Sequence, residues 1–180
     1  MTGAFTELGS IGQIAYVDAD MEAAVHFWTH TVGAGPFYLF EHPHMDIARY
    51  RGRPVELDIS IALGYWGDLQ IEIIKQHNDS PSIYLEQQRA GDRGVNHVCI
   101  YVDDLARARA ACERSNSPIM QEMYVEQKGG GQKGGLYADA GGSGRLIEFA
   151  VLPPAFAEAV VLIKANSQRW DGRDPLRVLR

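Results

Sequence analysis

The chain has 180 residues and a formal charge of −6, from 17 Lys+Arg against 23 Asp+Glu, which leaves room for one folding unit or two small modules sharing a core. Hydrophobic residues make up 46% and charged residues 22%, a globular balance that excludes wholesale disorder and collagen-like repetition. The acidic excess opposes the counterion-releasing contacts of non-specific nucleic-acid binding, so neither nucleic acid nor an anionic membrane is an expected partner.

The first residues carry no basic start followed by an apolar stretch, and no segment is long and apolar enough to span a bilayer. Cys99 and Cys112 form neither a disulfide framework nor a zinc-ribbon spacing. The expectation is a cytoplasmic protein that is not exported.

In chain order, Ile11 to Val17 reads as a strand, Asp18-Ala-Asp supplies capping side chains, and Met21 to about Thr31 has helical apolar spacing that ends near Gly33. Glu56 to Leu63 and Leu69 to Ile74 read as strands joined by a Tyr-Trp-Gly-Asp turn. Val95 to Val102 is again strand-like, Asp103-Asp104 again caps, and Leu105 to about Glu113 is again helical. Met120 to Glu126, a glycine-rich loop and Leu146 to Val151 follow. Phe156 to about Ala165 reads as an amphipathic helix, and Trp170 to Arg180 as a polar, irregular tail.

The order strand, helix, strands thus occurs twice. IGQIAYVDADMEAAVHFW lies over VNHVCIYVDDLARARAAC at a constant offset of 84, placing Gln13 on His97 and Asp20 on Asp104. DLQIEIIK lies over GRLIEFAV at an offset of 76, placing Glu72 on Glu148. Because strand side chains alternate between faces, each of these strands splits into two rows. One row, including Ile14, Ile71, Ile73, Ile100 and Phe149, is bulky and apolar, as a core needs. The other carries Gln13, Glu72, His97 and Glu148 amid mostly smaller neighbours, as a cavity wall would.

A carboxylate facing a closed interior is costly unless protonated, paired or bound to a metal. Two carboxylates, an imidazole and an amide oxygen suit a divalent metal ion such as Zn, Co, Ni, Mn or Mg, with Mg the poorest match to imidazole. The alternative is that these four are solvent-side residues of half-exposed strands.

The stretches IGQIAYVDADMEAAVHFW, LQIEIIKQ, VNHVCIYVDDL and GRLIEFAVL resemble the vicinal oxygen chelate superfamily, which includes methylmalonyl-CoA epimerase, glyoxalase I, extradiol dioxygenases, fosfomycin-resistance enzymes and bleomycin-binding proteins. The resemblance covers roughly residues 10–152. It implies an α+β fold of two βαβββ modules, at about 10–78 and 94–152, forming an open, cupped mixed β-barrel with helices outside. A C-terminal helix and tail at 153–180 complete a single domain over 1–180. It also implies a metal held from the first and last strand of each module, at positions matching Gln13, Glu72, His97 and Glu148.

Gln13 stands where epimerases and extradiol dioxygenases carry histidine. A non-haem iron oxygenase site needs two histidines and a carboxylate, which disfavours a dioxygenase. The ligand set is similar to that of eukaryotic-type glyoxalase I, whereas strand wording and module spacing look closer to methylmalonyl-CoA epimerase. Both relatives imply an isomerase or lyase that moves a proton alpha to a carbonyl through a metal-stabilised enolate. Glu148 matches the glyoxalase base, and Glu56 falls at or within one residue of a second, non-ligand glutamate of the epimerase. The implied substrate is a small carbonyl compound, either an acyl-CoA or a glutathione adduct. The competing reading is a metal-free small-molecule binding or resistance protein on the same scaffold.

Other features point elsewhere. His26 and His30 lie one helical turn apart without a following glutamate and read as helix surface. His42 and His44, near Tyr38 and Phe40, are candidates for a pocket mouth. Lys128-Gly-Gly-Gly-Gln-Lys133-Gly-Gly lacks P-loop order and reads as a mobile turn, with Lys128 or Lys133 available to an anion. Gly141 to Gly144 reads as a hairpin turn. Exposed sheet edges in such modules are compatible with a homodimer.

Overall fold

The computed structural model describes residues 3–128 and 131–179. β1 (Ile11–Val17) leads into α1 (Met21–His26), whose N-terminus is capped by the Asp20 carboxylate accepting from the Ala23 amide at 3.0 Å. The helix continues in wider π-type turns over Phe27–Val32 and stops at Gly33, whose φ of 84° is the left-handed conformation open to glycine. β2 (Phe37–Glu41), a small hairpin of β3 (Ile47–Tyr50) and β4 (Arg53–Pro54), then β5 (Ile59–Trp66) and β6 (Leu69–Gln76) complete the first half.

After α2 (Ile83–Arg89) the pattern repeats with β7 (Val95–Tyr101), α3 (Leu105–Arg114), β8 (Ile119–Glu126), β9 (Gln132–Asp139) and β10 (Leu146–Val151). Asp104 caps α3 by accepting from the Ala106 amide at 2.7 Å. The two aspartates that align in the sequence therefore do the same job in space. α4 (Pro154–Ser167) and β11 (Leu176–Val178) follow.

The described strands form one curled mixed sheet in the order β11-β2-β5-β6-β1-β7-β10-β9-β8-β3-β4. β1 pairs parallel with β6, and β7 parallel with β10, while β1 and β7 run antiparallel and join the halves. This is an α+β fold of two βαβββ modules meeting along their first strands, so β6, β1, β7 and β10 stand side by side at the centre.

The apolar rows go under the helices. Ile71 and Ile73 pack with Met21, Val25 and Phe37 beneath α1, and Ile100 and Phe149 pack with Ala108 and Cys112 beneath α3. On the concave side, Ala15, Ile59, Ile74, Met123 and Tyr137 cluster with Ile83 and Tyr84 of α2. Ser82 caps that short helix through the Leu85 amide at 2.9 Å, and the Gln121 side chain accepts from the Ile83 amide at 3.1 Å.

Three elements depart from the sequence expectation. The tail after Trp170 is not wholly irregular, because Leu176–Val178 adds a parallel strand to β2 at the sheet edge. The strand expected from Glu56 begins at Ile59 and runs on to Trp66. The lysine- and glycine-rich stretch is not simply a mobile turn: Gly129 and Gly130 lie outside the described residues, but Lys133, Gly134 and Gly135 belong to β9. There the glycines serve close approach. A Cβ on Gly134, whose φ is +146°, would fall 2.0 Å from the Met123 carbonyl oxygen. The turn at Gly141 to Gly144 does join β9 to β10. Among the described residues, no helix is long and apolar enough to cross a membrane.

Candidate metal centre

Parallel pairing of β1 with β6 and of β7 with β10 brings the four inward polar residues to one region. Gln13, Glu72, His97 and Glu148 are all buried, with relative exposures of 3, 7, 1 and 8%. Ligand atoms of Glu72, His97 and Glu148 all lie within 4.8 Å of one another. His97 Nε2 is 3.4 Å from Glu72 Oε2 and 3.3 Å from Glu148 Oε2. Yet Glu72 Oε2 and His97 Nε2 have no hydrogen-bond partner. Two orphaned polar atoms converging in a buried spot are costly, and a cation between them would offset the cost.

The surroundings fix what these atoms can do. The Asn96 amide nitrogen donates to the Ile83 carbonyl at 3.3 Å and to Gln87 Oε1 at 2.8 Å, which leaves Asn96 Oδ1 facing His97 Nδ1 at 2.9 Å. An oxygen there requires the proton on Nδ1, so in the neutral ring Nε2 carries the lone pair. This is how an outer hydrogen bond selects the tautomer of a metal-binding histidine. The Tyr137 ring stands edge-on to the imidazole with centroids 5.0 Å apart.

Glu148 is held by a gap as much as by contacts. A Cβ on Gly135 would fall 2.2 Å from Glu148 Oε1 and 3.0 Å from Tyr137 Cε2, so the carboxylate occupies the space of a missing side chain on the neighbouring strand. Gln13 donates its amide nitrogen to Gln70 Oε1 at 2.8 Å, so its carbonyl oxygen is the ligand atom it can offer the cavity. Gln70 in turn donates to the Tyr65 hydroxyl at 3.1 Å and accepts from Tyr101.

Burial pushes the Glu72 carboxyl up, only partly offset by His97, and the nearby Glu148 charge adds to the rise. Burial acts the same way on Glu148, but His97, the Tyr137 hydroxyl and the Cys99 thiol outweigh it and hold that carboxyl below its usual value. Burial alone would lower His97; the two carboxylates overcome this and raise it to about 9.

Gln13, Glu72 and Glu148 line a cavity of about 210 Å³ that reaches the surface beside His44 and the start of α4. Glu56 does not join them. It is exposed just before β5, its carbonyl accepting from the Asn78 side chain at 2.7 Å, and it does not line the cavity. Its strand starts three residues later than the sequence pattern predicts, which leaves Glu56 outside the sheet. His26 and His30 are exposed and stack on each other, with ring centroids 4.1 Å apart. His44 lines the cavity mouth, whereas Tyr38, Phe40 and His42 do not. His42 instead sits 2.5 Å from Asp58 in a separate, more exposed group with His77. Lys128 is exposed, and Lys133 lines a different cavity, beside Arg109.

Asn96, Gly135 and Tyr137 were not legible as site residues. Strand alternation puts a residue next to His97 on the opposite face, so nothing in the pattern points to Asn96 as its partner. The signal for Gly135 was the apolar run Leu136-Tyr137-Ala138 directly after it, which extends a strand back into the glycines.

A sequence model of the glyoxalase/bleomycin resistance protein/dioxygenase superfamily matches residues 12–133. The chain belongs to this superfamily. No curated protein sequence matches it. Among solved structures, this superfamily member is similar to a hypothetical protein from Bacillus halodurans, with TM-score 0.57 and 14% identity over 80% of this chain and 94% of that one. It is also similar to methylmalonyl-CoA epimerase from Mycobacterium tuberculosis, with TM-score 0.56 and 14% identity over 84% and 93% of the two chains. A variant of the Streptomyces coelicolor methylmalonyl-CoA epimerase in complex with 2-nitronate-propionyl-CoA gives TM-score 0.53 and 16% identity over 79% and 96%. At these identities the likeness is one of fold.

Proposed function

We propose that the protein is a metal-dependent isomerase or lyase that moves a proton at the carbon next to a carbonyl, epimerase-like ahead of glyoxalase-like. The observation that carries this reading is the pair of orphaned atoms, Glu72 Oε2 and His97 Nε2, buried beside Glu148, with Glu72 and Glu148 lining the cavity. Glu72, His97, Glu148 and the Gln13 carbonyl oxygen are the residues that would hold a divalent ion, and the mixed oxygen and nitrogen set fits Zn, Co, Ni or Mn better than Mg. Such an ion polarises a carbonyl oxygen and makes the adjacent C–H more acidic.

The protein's own part is positional and acid–base. Glu148 keeps one oxygen toward His97 and the other against Gly135 and Tyr137 on the cavity wall. From there it takes the proton from the substrate carbon, the C–H electrons moving toward the carbonyl oxygen, and in a glyoxalase-like reaction returns it to the neighbouring carbon. Return to the opposite face, as epimerisation requires, needs a second carboxyl. With Glu56 outside the cavity, Glu72 fills that role. The Asn96 bond keeps the imidazole from turning, and the apolar wall excludes water.

The metal-free reading has its own support: a protonated His97 would offset one of the two carboxylate charges, and burial pushes the Glu72 carboxyl toward its neutral form. Metal content separates the two. Titration with Co or Zn, performed on His42→Ala to remove the exposed His42, Asp58 and His77 group, should find one tightly held ion per chain. The absence of any bound ion would favour a binding protein. With the ion present, solvent deuterium exchange into an enolisable carbonyl should fall by about 100-fold or more in Glu148→Gln. Undiminished exchange would remove Glu148 from the base role.

A further inference from the structure

Between the inner end and His44 at the mouth, the cavity wall is largely apolar. Its wall is built by Met45, Ile59, Ile61, Met123, Leu152 and Phe156, and among the described residues lining it none is Lys or Arg. Three tyrosines also line it, and Tyr101 and Tyr124 have their hydroxyl protons committed. Tyr101 donates to Gln70 Oε1 and Tyr124 to Glu122 Oε1 at 2.9 Å, while the Tyr137 hydroxyl accepts from Tyr84 at 3.2 Å and lies at the inner end beside Glu148. Arg109 is paired with Glu122, and both it and Lys133 line a different cavity.

An anionic group held against the Met45, Ile59, Ile61, Met123, Leu152 and Phe156 wall would lose its hydration and find no lysine or arginine to pair with. An apolar arm would gain from the same wall by shedding water against aliphatic and thioether surface. Resting on the proton-transfer reading for the reacting end, we infer that the part of the substrate inside the cavity is an uncharged carbonyl compound with an apolar arm. Compounds with a carboxylate or phosphate on that arm are rejected. This separates the chain from an enzyme whose reacting unit bears its own carboxylate, without bearing on groups that remain outside the mouth.

Benzylacetone and the same ketone with a carboxylate at the para position of the ring form a matched pair, differing only in charge on the arm. Their binding to the full-length protein is compared by ligand-detected NMR titration. Benzylacetone should bind at least about tenfold more tightly than its carboxylate. Met45→Arg, which puts a cation on the half-buried wall next to His44, should narrow or invert that ratio. Equal or tighter binding of the carboxylate to the unmodified chain, or no binding of benzylacetone, overturns the inference. Deuterium exchange tests the reading beneath it separately: selective binding without exchange removes the proton transfer and leaves the substrate class standing, and exchange with indifferent binding does the reverse.

Discussion

In the first module the inward side chains of β1 and β6 near the cavity are Gln13, Gln70 and Glu72, and the two amides bond to each other and to the Tyr65 and Tyr101 hydroxyls. In the second, β7 and β10 contribute His97 and Glu148, surrounded by Asn96, Cys99, Gly135 and Tyr137. The strands are equivalent and the chemistry is not. One half ties its two amides into a neutral network that holds itself in place without an ion, and leaves only Glu72 Oε2 unpaired. The other leaves an imidazole lone pair unpaired and a carboxylate in a tailored gap, so its geometry is aimed at something else. A duplicated framework can therefore divide its labour, with the amides of one copy bracing a reactive group made of its Glu72 and the His97 and Glu148 of the other.

The most severe way to break this asymmetry is at the gap. Gly135→Ala puts a methyl carbon where Glu148 Oε1 lies, and that oxygen is the far end of a side chain that can turn away, whereas the backbone of β9 need not move. Overpacking of this kind costs about 1–3 kcal/mol in stability. The expected result is a protein that still melts cooperatively but has lost most of its divalent-ion affinity and deuterium exchange, read by calorimetric titration beside a thermal melt. Retained affinity would mean that Glu148 is not needed where it stands.

A smaller effect is expected one step out from the ligands. Asn96→Ala removes the acceptor on His97 Nδ1, so the ring is no longer held with its lone pair inward. Loss of such a partner weakens metal affinity by about 10–100-fold. Asn96→Asp keeps the acceptor, and affinity should recover toward that of the unmodified chain. If alanine and aspartate behave alike, Asn96 serves packing and the tautomer assignment falls.

These two residues also mark where the sequence stops being readable. The repeat, the caps at Asp20 and Asp104, the central strands and the inward row of Gln13, Glu72, His97 and Glu148 follow from periodicity and from the alignment of the halves, because both express local rules of alternation and capping. Gly135 and Asn96 obey no local rule. Their roles come from register: Gly135 pairs with Ala150 and lies beside Glu148 only once β9 and β10 are zipped, and Asn96 reaches His97 through its own contacts with Ile83 and Gln87 of α2. The misplacement of Glu56 has the same origin. The length of a strand is set by its partners, and β5 starts where pairing with Gln76 of β6 begins, at Ile59.

The mildest prediction tests the bracing half. In Gln13→Ala one amide is lost, but Gln70 keeps the Tyr101 hydroxyl on the same oxygen and the Tyr65 hydroxyl on its nitrogen, so no buried polar group is stranded. The loss is then a single neutral contact to the ion, about 1 kcal/mol or a factor of about five in affinity. Thermal stability should scarcely change. A drop as deep as that of Gly135→Ala would mean that the amide network is part of the reactive centre and that the two halves are chemically equal, whereas an affinity indistinguishable from the unmodified chain would confine the ion to Glu72, His97 and Glu148, the three groups whose ligand atoms already lie together.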